Sequence, residues 1–341
     1  MKPIVIIGGG LAGLTLGIGL RQRGVPATLW EAGHYPRHRV CGEFISGNGQ
    51  RTLERLGLQA LLENAGAIPV RTAQFIAKSN RSPIRELPVA IGLSRFVLDA
   101  ALAKEFKALG GELRENERFT STESAGVVRA SGRRPHPTEN GWRWFGLKVH
   151  VRNVDLEADL EMHLGRDHYV GVNRIDHDEV NVCGLFRARP GQSLAETGLN
   201  LLRGAPGTVL HERLAKAEFD DASFCSVAGL SLKPALALGK TEFCIGDALT
   251  MIPPVTGNGM SMAFESAEIA IEPLLAFSRG EMTWAEAQRA VAAECDRTFA
   301  RRLRWARALQ ALLFSPVPGS PIGALLFRSD SIWEFLYART R

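Results

Sequence analysis

Three glycines near the start of the chain have the spacing of a phosphate-binding turn. Gly8, Gly10 and Gly13 fit the pattern G-x-G-x-x-G, between the apolar run PIVII and the helical pattern LAGLTLGIGLRQRG. The first glycine permits a tight turn, the second lets the backbone approach a pyrophosphate, and the third lets the helix pack closely on the strand. Backbone amides and the helix dipole would then hold the anion. The residues expected at this site are Gly8, Gly10, Leu11, Ala12 and Gly13.

An acidic residue closes the next predicted strand. The run ATLWE ends at Glu31, about 20 residues after the glycine turn, where a carboxylate can accept hydrogen bonds from a ribose. Strand, turn, helix and acidic residue in this order favour a dinucleotide site over an unrelated glycine turn. The pattern alone does not choose between FAD and a nicotinamide cofactor, because both place a pyrophosphate on this turn.

Three further segments resemble motifs of a known family. Arg39-Val40-Cys41-Gly42-Glu43 is similar to a basic-x-Cys-Gly motif, and Arg95 opens the stretch RFVLD, which is similar to an Arg-x-x-Leu motif. Asp247, in a Gly-Asp pair, precedes PPVTGNGM, which resembles a Pro-x-x-Gly-x-Gly motif. With the glycine turn, these segments resemble the FAD-dependent monooxygenase superfamily, and within it the geranylgeranyl-reductase-like branch, over nearly the whole chain. The resemblance implies FAD as cofactor, with Arg39, Cys41, Gly42 and Arg95 beside it.

The last pair of motifs also has a physical logic of its own. An aspartate at a strand end, here Asp247, can bind the ribityl hydroxyls of a flavin. A glycine-rich helix start offers amides to the electron-rich edge of the flavin and would stabilise its reduced, anionic state. The residues expected there are Pro254, Gly257, Asn258, Gly259 and Met260.

Candidate catalytic side chains are few. Cys41 is the first, because neighbouring arginines can lower a thiol pKa, although a small soft side chain lining the pocket is the competing interpretation. His150 and His163 alternate with apolar residues on predicted strands, so either can face the pocket as an acid or base, or serve packing and hydrogen bonding. No spacing of His, Cys and carboxylates predicts a metal site.

Two motifs depart from the patterns they resemble. Where many monooxygenases of the superfamily carry Ala-Asp-Gly and a following arginine, this chain has Ala130-Ser131-Gly132-Arg133, so the handling of a pyridine nucleotide is in doubt. Trp142-Arg143-Trp144 is similar to the Trp-x-Trp of flavin halogenases but lacks the Ile-Pro that follows it there. The sequence therefore does not favour halogenation.

The elements around these motifs predict an α/β fold. A Rossmann-like FAD-binding domain would carry an inserted antiparallel β-sheet substrate domain and C-terminal helices. The expected FAD-binding domain is discontinuous and comprises residues 1–65, 96–135 and 240–280. The substrate-side sheet would comprise 66–95 and 136–239, and a helical segment would span 281–341.

Composition narrows the class of protein. Five cysteines among 341 residues, an odd number without a C-x-x-C pair, favour a reducing compartment and hence the cytoplasm. The formal charge of +5 falls on no nucleic-acid motif, and no apolar run reaches the length of a membrane span. The basic run DRTFARRLRWARALQ is interpreted as the solvated face of a packed helix, with peripheral membrane contact as the rarer alternative. The oligomeric state is not predicted.

These features predict a flavoenzyme. The expectation is an NAD(P)H-dependent monooxygenase that hydroxylates an apolar or aromatic small molecule. Reduction of a C=C bond, in the manner of the geranylgeranyl reductases, is the open alternative, and a flavin halogenase or a non-catalytic flavin-binding protein is less favoured. Since only one dinucleotide pattern is found, NAD(P)H would bind transiently at the flavin as electron donor.

Overall fold

The computed structural model describes residues 1–78, 80–88, 90–121, 125–136, 138–191 and 198–340. Its helices and strands are, in chain order, β1 (Ile4–Ile7), α1 (Leu11–Gln22), β2 (Ala27–Glu31), β3 (Phe44–Ser46), α2 (Asn48–Arg55), α3 (Gln59–Asn64), β4 (Ile68–Pro69), β5 (Thr72–Ala77), β6 (Asn80–Arg81), β7 (Arg85–Glu86), β8 (Ala90–Gly92), α4 (Arg95–Ala108), β9 (Glu112–Glu115), β10 (Val127–Arg129), β11 (Arg143–Arg152), β12 (Leu160–Leu164), β13 (His168–Arg174), β14 (Val180–Ala188), α5 (Gly198–Arg203), α6 (Val209–Arg213), β15 (Glu218–Ala228), α7 (Gly259–Arg279), α8 (Trp284–Leu313), α9 (Pro321–Arg328) and α10 (Asp330–Thr340).

A parallel four-stranded sheet carries the glycine-rich turn. Its strand order is β10-β1-β2-β9, and α1 packs against both α4 and α7. The chain returns to this sheet late, where Cys244 forms a single parallel bridge with Arg129. The run KTEFCIGDAL at 240–249 has the apolar pattern of a strand, but Gly246 takes a positive φ of 59° and turns the chain away after that bridge.

The second sheet is larger and mixed. Its order is β15-β11-β14-β13-β12-β5-β6, with β7 beside β5. The strands from β11 to β15 that pair with one another are antiparallel, as predicted, whereas β12 pairs with β5 in parallel. Parallel pairing is possible here because a long crossover through the first sheet separates these two strands. The predicted antiparallel sheet therefore also contains one parallel pair of strands.

The two faces of this large sheet have different partners. We call the outer face the one on which Val149 and Val182 pack with helices α5 and α6 in an apolar core. Side chains alternate along a strand, so the neighbouring residues lie on the opposite, inner face, which includes Lys148, His150 and Asn181. The inner face is turned toward the loop between β2 and β3. The outer face thus packs one apolar core, whereas the inner face carries these polar side chains together with a second apolar cluster that includes Trp144 and Tyr169.

The segment at 69–95 divides between two sheets. Strands β5, β6 and β7 join the large sheet, while β8 pairs with both β3 and β4 in a separate small antiparallel sheet. The helix predicted from the run RTLERLGLQALLENAG is two helices, α2 and α3, because Gly57 takes a positive φ of 69° between them. The small sheet places β3, and the loop before it, against the start of α7.

The basic helix α8 packs along one side. Arg302 is buried and bonded to Glu265 of α7 through both terminal nitrogens. The other arginines of its basic run are exposed: Arg297, Arg301, Arg304 and Arg307. Among the described helices, none is both long enough and apolar enough to cross a membrane.

Candidate functional site

The glycine turn has the geometry that a pyrophosphate requires. A Cβ added at Gly13 would lie 2.0 Å from the carbonyl oxygen of Gly8, so only glycine permits this packing of helix on strand. A Cβ at Gly10 would meet nothing within 4 Å, which leaves that approach open. The first helical hydrogen bond runs from the amide of Leu14 to the carbonyl of Gly10, so the amides before it have no partner within the helix. The side chains of Leu11 and Ala12 are buried, and only their amides are available.

Glu31 lies against this turn. Its Oε2 accepts a hydrogen bond from the amide of Gly9 at 2.8 Å, and its Oε1 accepts from the amide of Gly33 at 2.9 Å. Arg37 and Arg39 approach the same carboxylate at 2.6 and 3.3 Å. Burial acts to raise the pKa of Glu31, but these hydrogen bonds and charges outweigh it and hold the pKa below its ordinary value. The group is therefore an ionised acceptor, as ribose binding requires.

The two basic motifs meet at one buried aspartate. Arg95, the first residue of α4, donates to both oxygens of Asp99 at 2.6 and 2.7 Å, and Arg39 approaches Asp99 at 3.2 Å. Cys41 lies beside Arg95, yet burial outweighs that positive charge and raises the pKa of the thiol. The neutral thiol is thus the form expected near neutral pH, which favours the interpretation of Cys41 as a pocket-lining side chain or proton donor over a thiolate nucleophile.

The Gly-Asp motif touches the first helix. A Cβ added at Gly246 would lie 2.8 Å from the Cβ of Ala12, so the two motifs are in contact. Asp247 is accessible to solvent and at the same time surrounded by protein, as at the floor of a cleft. This desolvation raises the pKa of its carboxyl group, although Arg133 and Arg95 act to lower it. Asp247 is thereby placed to exchange hydrogen bonds with hydroxyl groups beside the helix amides.

The segment Ala130-Ser131-Gly132, which differs from the Ala-Asp-Gly motif it resembles, also lies at the glycine turn. A Cβ at Gly8 would come within 2.6 Å of the Cα of Ser131, so this segment passes directly over the turn. A cavity of about 230 Å³ opens next to it, lined among others by Ser131, Arg133 and Asp247. Within the described part of the chain, the Nε of Arg133 has no hydrogen-bond partner. Part of the hydrogen-bonding capacity of Arg133 is therefore unused within the described part of the chain.

The start of α7 forms the other end of the site. Gly257 takes the left-handed φ of 63°, and a Cβ there would lie 3.0 Å from the ring of Phe44 in β3. The amide of Met262 bonds to the carbonyl of Asn258, so the amides of the helix start before it have no helical partner. The Nδ2 of Asn258 donates to the carbonyl of Thr340 in α10. The side chain of Met260 is buried in the core, so only its backbone faces the site.

These groups fit the parts of an FAD molecule. Open amides at α1 suit a pyrophosphate, Glu31 suits an adenosine ribose, Asp247 suits a ribityl chain, and the start of α7 suits the electron-rich edge of a flavin ring. Phe44 connects the start of α7 to the Cys41 loop, because it follows that loop directly. Among the described residues, no group of three or more His, Cys, Asp or Glu is arranged to hold a metal ion.

A buried carboxylate next to Cys41 was not predicted from the sequence. Glu43 is 0% exposed and takes a positive φ of 53°. Its Oε1 accepts from the amide of Arg95 at 2.8 Å and lies 3.4 Å from the Nζ of Lys148, while its Oε2 lies 2.7 Å from the Nε2 of His150. Burial acts to raise the pKa of Glu43, but the hydrogen bond from His150 and the charge of Lys148 prevail and lower it.

The inner face supplies the partners of this carboxylate. Lys148 is 0% exposed, and its Nζ lies 3.1 Å from the Nδ1 of His38. Burial and the charge of Lys148 lower the pKa of His38 to about 4, so His38 is neutral and accepts a hydrogen bond from the lysine. Asn181 donates to the carbonyl of Cys41 at 3.1 Å, and its Oδ1 has no partner among the described residues. The Cys41 loop is thus bound to the sheet by several polar contacts.

The two histidines proposed from the sequence lie on opposite faces. His150 is on the inner face and contacts Glu43. His163 is on the outer face, where its Nε2 lies 3.0 Å from Glu161, a carboxylate that also contacts Arg213 of α6. The signal for Lys148 and His150 is visible in the sequence, because they are alternate polar residues within the otherwise apolar strand GLKVHV.

Sequence comparisons match parts of the chain. No family model matches it. Conditioned medium factor receptor 1 of Dictyostelium discoideum is 29% identical over 142 residues, which are 38% of this chain and 27% of that protein. Squalene epoxidase erg1 of Aspergillus fumigatus is 38% identical over 68 residues, which are 20% of this chain and 14% of that protein. The chain thus covers well under two thirds of either curated relative.

Solved structures match along nearly the whole chain. The flavin-dependent brominase Bmp2 has a TM-score of 0.78 at 18% identity, over 99% of this chain and 93% of that chain. PqsL of Pseudomonas aeruginosa, in complex with 2-aminobenzoylacetate, has a TM-score of 0.70 at 16% identity, over 95% of this chain and 99% of that chain. At these identities the likeness establishes the fold alone, a Rossmann-type α/β fold that this chain shares with these flavin-dependent proteins, and membership of the FAD-dependent monooxygenase superfamily stays a prediction. The predicted fold class is confirmed, and membership of the geranylgeranyl-reductase-like branch stays a prediction.

Proposed function

We propose that the protein is an FAD-dependent oxidoreductase that takes electrons from NAD(P)H and hydroxylates an apolar or aromatic small molecule. The observation that carries the proposal is the contact between Gly246 and Ala12, where an added Cβ would lie 2.8 Å from its neighbour. This contact brings Asp247 to the same helix start as the pyrophosphate-binding amides. Two motifs that are distant in sequence therefore converge on one elongated ligand.

The chain's own residues would hold the cofactor in an extended conformation. Glu31, ionised, would accept the ribose hydroxyls, and the amides before Leu14 would bind the pyrophosphate. Asp247 would bind the ribityl hydroxyls, and the amides that begin α7 would stabilise negative charge at the flavin edge. Bound FAD would supply two-electron transfer and the activation of dioxygen.

The residues between the inner face and the start of α7 support the proposed substrate class. Trp144, Tyr169 and Phe314 form a buried aromatic group, with Trp144 and Phe314 edge to face at 4.8 Å between centroids. Val255, within the PPVTGNG turn, belongs to the same apolar cluster. An apolar or aromatic ligand suits such surroundings. PqsL, which shares the fold, is known in complex with 2-aminobenzoylacetate, a ligand of this kind.

Reduction of a C=C bond is the second candidate, and the state of Cys41 favours it. Such a reduction adds a hydride to one carbon and a proton to the other, so it needs a proton donor beside the reduced cofactor. Burial raises the pKa of the Cys41 thiol, so the group carries its proton at neutral pH and can supply it, as a weaker acid than an exposed thiol. The thiol belongs to the loop that the family resemblance places near the flavin.

Binding of FAD is the first test. Purified protein is expected to be yellow or to become so on addition of FAD, as measured by flavin absorbance and fluorescence titration. Gly13→Ala is expected to weaken binding by at least about tenfold, because its Cβ would lie 2.0 Å from the Gly8 carbonyl oxygen and must displace the turn. Gly198→Ala is the control, because its Cβ would also meet a neighbour closely, the ring of Phe224 at 2.8 Å, but on α5 at the outer face of the large sheet. A colourless wild-type protein that does not bind added FAD would refute the proposal.

The reaction type is tested by turnover with and without oxygen. Consumption of NAD(P)H that requires both dioxygen and an aromatic substrate, with a hydroxylated product, would support the monooxygenase. Turnover that continues without oxygen and yields a saturated C–C bond would assign the reductase instead. Dependence of the product on added halide would assign halogenation, the activity of the structurally similar brominase.

A further inference from the structure

Glu43 connects three separate parts of the molecule. Its side chain contacts Lys148 and His150 of the large sheet and the amide of Arg95 at the start of α4. Its own amide donates to the Sγ of Cys41 at 3.4 Å, and its carbonyl accepts from the amide of Leu93. Sheet, helix start and loop therefore all meet at one carboxylate.

The backbone of Glu43 is held in an unusual conformation. A φ of 53° is in the left-handed region, which residues with a Cβ rarely adopt because of steric strain. The side chain is fully buried as well, so its charge has been removed from water. Such arrangements persist only where the surrounding structure fixes them, and they concentrate at functional sites.

The partners of Glu43 come from each element packed against it. Lys148 and His150 face it from β11, the amide of Arg95 from α4, and Cys41 from its own loop. Buried ion pairs of this kind add little stability compared with apolar residues of equal size, because desolvation offsets their attraction. Their better attested effect is to fix one arrangement of the groups they join.

Two of the predicted cofactor contacts depend on this carboxylate. Arg95 is the first residue of α4, and its amide donates a hydrogen bond to Glu43. The guanidinium of Arg95 donates to Asp99. Cys41 is held from both sides, by the amide of Glu43 at its sulfur and by Asn181 at its carbonyl. If Glu43 moves, both contacts lose their support.

We propose that Glu43 is a positioning residue of the cofactor site. With Lys148 and His150 it fixes the Cys41 loop and the start of α4 to the inner face of the sheet, and the affinity for FAD depends on it. This inference rests on the proposed function, since it assumes that FAD binds between these elements.

The test compares two buried glutamates. Glu43→Gln retains the size of the side chain but places an amide donor where Lys148 and His150 also donate, so the cluster must rearrange. We expect FAD affinity to fall by about tenfold. Glu161→Gln is the matched control: Glu161 is also 0% exposed and paired with a histidine, but it lies on the outer face. We expect its FAD affinity to stay within about twofold of wild type.

A second measurement does not need the cofactor. The rate at which a thiol reagent labels Cys41 in the apoprotein, resolved from the other cysteines by mass spectrometry, reports how firmly the loop is held. We expect faster labelling of Cys41 in Glu43→Gln and an unchanged rate in Glu161→Gln. The pH dependence of FAD affinity is a further signature: wild type is expected to lose affinity as Glu43 is protonated in acid, and Glu43→Gln is expected to lack that component.

A double variant covers the case in which Glu43→Gln does not fold. Glu43→Gln with Lys148→Met removes both charges, so no buried charge is left without its partner. The fold is expected to survive, while the contact that fixes the Cys41 loop to the sheet is lost. Wild-type FAD affinity in either variant, once circular dichroism shows that it is folded, would overturn the inference. If wild type itself binds no FAD, the proposed function fails, and Cys41 labelling then decides the inference: equal rates in variant and wild type overturn it.

Discussion

Two buried glutamate–histidine pairs lie on opposite faces of the same sheet. On the inner face, Glu43 and His150 are 2.7 Å apart, and on the outer face Glu161 and His163 are 3.0 Å apart. Both carboxylates are 0% exposed, and the pKa of each is lowered despite the opposing effect of burial. From the sequence, the two histidines were equal candidates for the site.

The pairs differ in the cation that accompanies them and in what they connect. The outer carboxylate contacts Arg213, whose side chain is 13% exposed and which also contacts Glu157. The inner carboxylate contacts Lys148, which is fully buried and, within the described part of the chain, forms an ion pair with no second carboxylate. The outer pair joins one strand to a neighbouring helix, whereas the inner pair joins the sheet to both cofactor-site motifs. Similar chemistry therefore has a local role on one face and a long-range role on the other.

Replacing each of the two carboxylates by alanine should give the largest difference between the two pairs in the free energy of unfolding. Glu43→Ala leaves Lys148 charged in a site without water, and we expect a loss of about 3–5 kcal/mol in the free energy of unfolding. Glu161→Ala leaves Arg213 with Glu157 and with some access to solvent, and we expect a loss of about 1–3 kcal/mol. Urea unfolding at neutral pH measures both. Equal losses would show that the two faces are energetically alike.

The comparison also shows what the sequence could and could not predict. The strand, glycine turn and helix of the first motif are local in sequence, so Gly8, Gly13 and Glu31 could be predicted together and the structure places them together. The order of parallel strands follows from the same local pattern. The parallel pairing of β5 with β12 could not be predicted, because it joins two strands that are far apart in the sequence.

The candidate site was predictable only where its residues belong to motifs. Cys41 and Arg95 were identified by resemblance, but the carboxylate between them was not, because nothing local directs the side chain of Glu43 into the protein. The alternation of Lys148 and His150 with apolar residues predicts that they share one face of a strand. It does not predict that this is the face on which the Cys41 loop packs, because that depends on tertiary contacts between distant segments.

Titration of His38 should distinguish the inner face at mildly acidic pH. Burial and Lys148 lower its pKa from an ordinary 6.5 to about 4, so the folded state holds this histidine neutral while the unfolded chain protonates it. The unfolded state therefore binds more protons between these values, and stability should fall as the pH decreases from 6.5 to about 4.

The matched variants are His38→Gln and His163→Gln, followed by urea unfolding across this pH range. His38→Gln should retain an acceptor for Lys148 and should show a shallower loss of stability than wild type. His163→Gln changes only the outer face and leaves His38 in place. It should therefore keep the part of the dependence of unfolding free energy on pH that is due to His38. An unchanged slope in His38→Gln would mean that the inner-face histidine titrates as it does in the unfolded chain.

The smallest effect is expected at Tyr169, another residue of the inner face. Tyr169 is 4% exposed, and within the described chain its hydroxyl has no hydrogen-bond partner. Burial raises the pKa of this phenol well above its ordinary value, so it remains protonated. Because an unpaired buried hydroxyl is itself unfavourable, Tyr169→Phe should leave the free energy of unfolding unchanged or raise it by up to about 1 kcal/mol.

Tyr35→Phe is the control for that substitution. The hydroxyl of Tyr35 donates to the carbonyl of Gly9 at 2.5 Å, so its removal should cost about 1 kcal/mol. Urea unfolding of both variants gives the comparison. If Tyr169→Phe is destabilised as much as Tyr35→Phe, the hydroxyl of Tyr169 is satisfied by the folded protein. If it is not, the hydroxyl of Tyr169 is free to bond to a ligand, and the affinity of an aromatic ligand that bonds to it should then fall in Tyr169→Phe.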